Sequence, residues 1–345
     1  MRIALVAPPW LSVPPGGYGG IEWVVHLLAD ELVRRGHEVT LYATGDSTTS
    51  AELVSFISRA APARMHDPAI DAEHVGQVYK DIAERASAGA GPDVVHDHSE
   101  WLGPAFAHTV PVPVVFTHHN SLTADRRRVY GSFFDDVAHV CLSEHQRASW
   151  AALAGAAVVP NAIDLSAYDA TGAKSEFLLS LSRIHPDKGQ HIAIEVARRT
   201  GRDIVLAGKI DPGDGEKYFE DEVAPLLRSK SVQYLGEVTD ETKRDLLQRA
   251  AATLFPIRWD EPFGLVMTES MAAGTPCIAF ARGAAPEVIE DEVTGFLVDD
   301  VDGMTKAVSR LGEISPAACR RKVETHFSPA LMTKRYLAVY EAAVG

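Results

Sequence analysis

Two glutamates, Glu261 and Glu269, close the ends of the stretch EPFGLVMTE, eight positions apart, with Pro262 and Gly264 just behind the first. The run Thr253 to Ile257 reads as a buried strand, and a helix is expected from near Gly264 to Gly274, where Thr275-Pro276 follows. Glu261 then falls in the loop ahead of the helix and Glu269 inside it. At a rise of ~1.5 Å per residue the separation is at most about 12 Å. That suits a ligand with a hydroxyl-bearing group at each end and negative charge between. Glu261 could accept hydrogen bonds from a sugar and Glu269 from a ribose, with the amides of Phe263, Gly264 and Leu265 facing the charge. Two carboxylates so spaced are also common as plain surface residues, so the pair needs company.

Cations supply some. SLSRIHPDKGQHIAIEVARR puts Arg183 at the end of a strand and Lys188 just before a helix. A planar fork and a point charge at one strand edge could grip two phosphates, where the alternative is two solvated surface cations. Near the start of the chain, Gly16, Gly17, Gly19 and Gly20 precede an amphipathic helix that runs to about Arg35 and is closed by Gly36. Backbone amides and a positive helix end converge there, an anion site in outline or else a flexible loop. The spacing is not that of the dinucleotide fingerprint, because Glu22 stands five after Gly17, and no Walker lysine follows.

The elements that must position these groups repeat along the chain. Short apolar runs at Ile3 to Val6, Val39 to Tyr42, Val94 to Val95, Val112 to Phe116, Val140 to Leu142 and Val158 to Val159 alternate with helical patterns. The pattern restarts at Phe177 to Leu181, Ile204 to Leu206, Val232 to Leu235, Thr253 to Ile257, Cys277 to Phe280 and Phe296 to Val298. Continuous apolar strands separated by helices indicate parallel sheets covered on both faces. The fold class expected is therefore α/β, two doubly wound domains in series, joined within 158–176, where Pro, Gly and turn formers cluster. Ligands bind outside the carboxyl ends of such strands, so two edges facing across a cleft would hold one.

Composition narrows the partners. At 345 residues the chain exceeds one ordinary core, and its 46% hydrophobic and 23% charged content belong to a folded globular protein. The formal charge of -14 divides into 11 basic against 19 acidic residues over 1–165 and 22 against 28 over the remainder, which argues against nucleic acid. Asp125-Arg126-Arg127-Arg128 is the one compact basic patch, either a solvated helix face or a contact for phosphate or an anionic surface. Cys141, Cys277 and Cys319 match no zinc, redox or disulfide pattern, so a cytoplasmic setting is expected. Pro8 and Pro9 break the apolar run of MRIALVAPPW, and no stretch reaches the ~18 apolar residues of a membrane span.

Taken together, the spaced glutamates, the glycine loop, SRIHPDKG and VVPNAID resemble a retaining glycosyltransferase of family 4, of GT-B architecture, over nearly the whole chain. The resemblance extends to FSPALMTKRYLAVYEAAV, which looks like the terminal helix that returns to the N-terminal domain. It implies an acceptor-side domain at 1–165 with 328–345 packed on it, and a nucleotide-sugar domain at 166–327. It also implies a metal-independent transfer from a UDP- or GDP-sugar with no cofactor, and it leaves the acceptor open among glycan, lipid, natural product and small metabolite. Arg183 and Lys188 would hold the diphosphate, Glu269 the ribose, Glu261 the sugar, and a glycine of Gly16, Gly17 and Gly19 a phosphate or the acceptor. Fixed cations and amides would stabilise the leaving group as charge grows on it.

Further residues enter on the same footing. VVFTHHNS ends a strand with His118 and His119, and members of the family carry a histidine there close to the donor; His119 fits the register better. His96, Asp97 and His98 in DVVHDHSEW could make a metal site by type, but alternate side chains on a strand point apart. Acceptor-side hydrogen bonding by these three and His118 is the expectation, with Asp97 as a candidate base. Asp300-Val301-Asp302 spells the manganese-binding triplet of metal-dependent glycosyltransferases but opens a helical pattern, so Asp302 is expected to be a helix cap. Ser182 and Ala162 stand where the family usually has Gly, placing a Cβ where backbone approaches ligand. A sugar-nucleotide epimerase or hydrolase, or a non-catalytic nucleotide-sugar binder, are the rival functions.

Overall fold

A computed structural model describes residues 1–65 and 67–345. The chain divides into two compact units, the first comprising Met1–Ala162 with Pro329–Gly345 and the second Ile163–Ser328. The first holds strands β1 Arg2–Val6, β2 Glu38–Tyr42, β3 Glu52–Val54, β4 Val94–Asp97, β5 Val114–Thr117, β6 Ala138–Cys141 and β7 Ala157–Val158. Its helices are α1 Gly20–Arg34, α2 Pro68–Ser87, the short α3 Gly103–Phe106, α4 Ala124–Gly131 and α5 Glu144–Ala148. The second unit has strands β8 Leu178–Leu181, β9 Ile204–Ala207, β10 Val232–Tyr234, β11 Ala252–Phe255, β12 Cys277–Phe280 and β13 Gly295–Val298. Its helices are α6 Gln190–Thr200, α7 Asp214–Tyr218, α8 Asp240–Arg249, α9 Leu265–Ala272, α10 Ala285–Val288, α11 Val301–Ser309 and α12 Pro316–His326. The last helix, α13 Pro329–Val344, belongs to the first unit.

Every strand pairing is parallel, in the order β3-β2-β1-β4-β5-β6-β7 in the first unit and β10-β9-β8-β11-β12-β13 in the second. All four residues of β4 and of β11 are buried, the consequence of covering a parallel sheet on both faces. Tyr42, Val75, Val78, Tyr79, Ile82 and Val95 form one core between that sheet and α2. In each sheet the order reverses once, between β1 and β4 and between β8 and β11. A crevice opens at such a reversal, outside the carboxyl ends of the strands. The glycine loop follows β1, His98 follows β4, and His118 and His119 follow β5; Arg183 and Lys188 follow β8, and Glu261 follows β11.

Twelve of the strands coincide with apolar runs read in the sequence; β3 is additional. Three residues long and half exposed at the sheet edge, Glu52-Leu53-Val54 has too little apolar character to register as a strand. Helix α11 is capped by Asp300, whose carboxylate accepts from the Gly303 amide at 2.7 Å. That corrects the expected Asp302 cap: Asp302 lies inside the first turn and pairs with Arg199 at 2.6 Å.

Candidate functional site

In the second unit two loops are locked together. Gly189 adopts φ 68°, and a Cβ there would stand 2.4 Å from the Pro256 carbonyl oxygen, so only glycine allows the Lys188 turn to press on the chain after β11. The Arg258 amide donates to the Asp187 carbonyl at 2.7 Å across the same junction. Lys188 Nζ consequently reaches Glu261 Oε2 at 2.5 Å, with side chains only 10% and 14% exposed. Trp259 Nε1 donates to the same oxygen at 3.0 Å, and its ring lies 4.8 Å from the ammonium. Gly283, at φ 58°, lets a third loop approach so closely that a Cβ would meet the Glu261 amide nitrogen at 2.4 Å, while the Ala284 amide donates to the Glu261 carbonyl at 2.9 Å. Three chain segments thus fix one carboxylate and one ammonium.

Arg183 is held otherwise. Its guanidinium pairs with Asp211, and its carbonyl accepts from Gln190 Nε2 at 2.9 Å. The fully buried Gln190 also donates to the Ser182 hydroxyl at 2.9 Å, which gives the unexpected serine a partner at the head of α6. Phe263 turns its ring edge-on to Phe327 and is buried, leaving only its backbone for a ligand. Gly264 is the N-cap of α9 at φ 83°, and Leu265 opens the helix, whose first amides have no intrahelical acceptor.

Glu269, one turn further along α9, belongs to a separate cluster. Its Oε1 accepts from Lys243 Nζ at 2.7 Å and from the Tyr168 hydroxyl at 3.1 Å, and Lys243 also contacts Asp240 at 2.9 Å. Burial pulls the Lys243 ammonium down, but Glu269 and Asp240 outweigh it and hold the group above its ordinary value. Burial pushes the Tyr168 phenol strongly up, and Glu269 adds to that. The structure therefore joins Glu261 to Lys188 and provides Glu269 and Arg183 with other partners. Lys243, Tyr168, Trp259 and Asp211 had no individual signal in the sequence, since each acquires meaning only through a contact distant along the chain.

In the first unit Gly19 requires its residue type: φ is 146°, and a Cβ would meet Pro15 and Leu11 side chains at 2.7 and 2.8 Å. Gly16 is exposed and Gly17 half-buried, both in the loop ahead of α1. The alternation expected along β4 is observed. His96 turns to α13, its Nδ1 2.6 Å from the Tyr340 hydroxyl and its Nε2 2.8 Å from Thr117 Oγ1. Asp97 turns the other way, accepting from the Tyr79 hydroxyl at 2.7 Å and the Ser99 amide at 2.6 Å. Gly103 packs so tightly on that carboxylate that a Cβ would lie 2.2 Å from Oδ2. His118 Nε2 pairs with His139 Nδ1 at 3.0 Å, and His139 Nε2 with the Phe134 carbonyl at 3.0 Å. A carbonyl can only accept, so His139 carries its proton on Nε2, His118 donates from its own Nε2, and the buried His118 Nδ1 is a bare, unpartnered acceptor.

His96, Asp97 and His118 are all buried and turn their bonded atoms into the unit's own interior. Burial raises the Asp97 carboxyl and keeps His96, His98 and His118 well below the usual imidazole range. His98 Nδ1 meets His119 Nε2 at 2.8 Å, and its own Nε2 is buried without a partner. His119 is half-buried, and burial, opposed by Glu100, takes it down to about 4. Gln146, buried and unremarked in the sequence, donates to the carbonyls of His118 at 2.8 Å and Asn120 at 3.0 Å and so holds the strand end that presents His119. Among the described residues no group of three His, Cys, Asp or Glu side chains could hold a metal ion.

Two Rossmann-like units with cations, amides and carboxylates at their strand ends define a GT-B glycosyltransferase fold, and comparison with known proteins agrees. The chain belongs to the glycosyltransferases: the pattern of Glycosyltransferase Family 4 matches residues 18–167 and that of Glycosyl transferases group 1 matches residues 169–320. The phosphatidyl-myo-inositol mannosyltransferase of Mycolicibacterium smegmatis is 27% identical over 336 residues, covering 89% of this chain and 84% of that one. Among solved structures, AviGT4, a glycosyltransferase involved in avilamycin A biosynthesis, is similar at 27% identity and a TM-score of 0.75, covering 99% of this chain and 98% of its own. HepE of Anabaena, solved with UDP and glucose, shares the fold at 16% identity and a TM-score of 0.74, covering 99% of this chain and all of its own.

Proposed function

We propose that this glycosyltransferase transfers a hexose from a nucleotide-diphosphate sugar, UDP- or GDP-linked, to an acceptor hydroxyl, with retention of configuration and without a metal. The observation that carries this reading is the Lys188–Glu261 contact at 2.5 Å, set beside the open N-terminus of α9. Lys188, Arg183 and the first α9 amides neutralise the diphosphate as the glycosidic bond breaks. Glu261 accepts from the sugar hydroxyls, Glu269 from the ribose, and His119 lies on the side of the sugar. His98 and the glycines Gly16, Gly17 and Gly19 belong to the acceptor or phosphate side. The mannosyl group in the mycobacterial relative's name supports a hexose as the moiety transferred. Three free, buried cysteines fit a reducing, cytoplasmic setting.

A thermal-shift series with UDP, GDP, ADP and TDP tests the donor half. A ligand at a hundred times its dissociation constant stabilises by about 2.7 kcal/mol. The matching nucleotide sugar is then incubated with an acceptor panel and the anomeric configuration of the product read by NMR. Stabilisation by none of the four nucleotides, or a product of inverted configuration, overturns the reading. Formation of a new sugar from donor alone favours an epimerase or hydrolase, and tight binding without product favours a non-catalytic binder.

A further inference from the structure

Arg126 is a nearly buried guanidinium with weak support. Thr123 caps α4 by accepting from the Arg126 amide at 3.3 Å, which places the residue in the first turn. The side chain then reaches to the loop after β4, 4.8 Å from the centroid of the Trp101 ring and 3.8 Å from Glu100 Oε2. Its Nη1 donates to the Ser121 carbonyl at 3.4 Å. Both polar contacts are longer than the 2.7–3.2 Å usual for N–H···O bonds. The side chain is 13% exposed, and its Nε is buried with no acceptor. Arg127 repeats the feature, with a buried Nε that also has no acceptor. Arg128 does not: it is exposed and pairs with Asp125 at 3.4 Å. Glu100 is shared with other donors: Asn120 Nδ2 donates to its Oε1 at 2.8 Å, and its carbonyl accepts from Tyr130.

We propose that Arg126, with Trp101 beside it, and the adjacent Arg127 form a subsite for a phosphate monoester carried by the acceptor. Arg126 and Arg127 stand side by side in the sequence of a chain of net charge -14, and planar forks suit phosphate oxygens. A buried donor left without an acceptor is costly, and a phosphate oxygen relieves it. Trp101 is half-buried and offers an apolar surface to the ring or carbon chain that bears the phosphate. Glu100 and Trp101 follow β4 and Asn120 follows β5, at the same strand edge as His98 and His119. This assignment rests on the transferase reading for its acceptor, but the subsite itself is tested without turnover.

Calorimetric titration with glycerol 1-phosphate, inorganic phosphate and glycerol, each with and without saturating UDP, makes the test. Glycerol 1-phosphate should bind in the presence of UDP and glycerol should not. Arg126→Gln and Arg127→Gln should each weaken that binding at least tenfold, and Arg128→Gln should leave it unchanged. Arg126→Lys keeps the charge but loses the fork, so weakened binding at an unchanged melting temperature separates recognition from folding. Absence of glycerol 1-phosphate binding, its displacement by UDP, equal loss in Arg128→Gln, or full binding by Arg126→Gln overturns the proposal. A protein that binds glycerol 1-phosphate but no nucleotide refutes the donor assignment and leaves this subsite standing.

Discussion

Lys188 Nζ lies 2.5 Å from Glu261 Oε2, and the same oxygen accepts from Trp259 Nε1 at 3.0 Å. Each partner compensates the other's charge in a largely enclosed place, where an unpaired ion would be costly. The pair is therefore poised rather than inert. A diphosphate that draws on the ammonium must share it with the carboxylate, and a sugar hydroxyl that donates to Glu261 compensates that carboxylate in turn.

Replacing either partner should accordingly do more than delete one contact. Glu261→Ala and Lys188→Ala are each expected to lower kcat by about 10²–10³-fold, the usual loss for a preorganised electrostatic group. The double variant should be little worse than either single one, since residues acting as a unit are not additive. Steady-state kinetics on the three variants checks this, with circular dichroism to confirm that each remains folded. Full transfer by either single variant means that the site is misassigned.

Glu269 makes a second, independent case. Lys243 and the Tyr168 hydroxyl both meet its Oε1, at 2.7 and 3.1 Å, and so aim the carboxylate. If it receives the ribose, Lys243→Met should raise the Kd for the matching nucleotide by roughly tenfold, or about 1.4 kcal/mol. Tyr168→Phe, which loses one hydrogen bond, should raise it about fivefold. Calorimetric titration measures both. An unchanged Kd in Lys243→Met would show that the orientation of Glu269 is not used for nucleotide binding.

These two clusters also show what could be read beforehand. Glu261 in a loop and Glu269 in the following helix were legible, because Gly264 and Gly274 mark the boundaries of α9 by the backbone they require. The parallel sheets were legible because strands covered on both faces are apolar along their length. Partner choice was not. Nothing in the sequence sets Arg183 beside Asp211 or Lys243 beside Glu269, since those contacts arise between segments, loops for the first pair and helices α8 and α9 for the second, that follow different strands. The alternation of His96, Asp97 and His98 was likewise visible, but the neighbours that bury them, Tyr340 on α13 and Tyr79 on α2, come from remote helices.

The buried histidines predict acid lability. His74 and His119 are taken down to about 4 by burial, and His96, His98 and His118 lie well below the ordinary value. An unfolded chain takes up protons at these residues once pH falls below ~6.5, before the folded protein can. Stability is then fully present above that pH and is lost progressively as pH falls toward about 4. Asp97, raised by burial, acts in the opposite sense but is a single group. Melting temperature should fall between pH 7.5 and pH 5, with a shallower fall in His98→Gln. A flat profile over that range would contradict the burial of these rings.

The terminal helix leads to the last expectation. Tyr336 and Tyr340 on α13 are fully buried, with hydroxyls 3.2 Å from Thr117 Oγ1 and 2.6 Å from His96 Nδ1, so the end of the chain completes the polar interior beneath β4 and β5. Tyr340→Phe leaves a buried imidazole nitrogen unsatisfied, at a cost of about 1–3 kcal/mol. Tyr336→Ala adds a cavity and should cost about 3–5 kcal/mol, as large aromatic truncations do. Removing residues 329–345 strips the whole face and should leave the first unit unable to fold, while the second keeps its own core. Denaturant titration of the point variants and limited proteolysis of the truncated chain check the series. A truncated chain whose 1–162 segment resists protease as the full chain does would show that α13 merely rests on its surface.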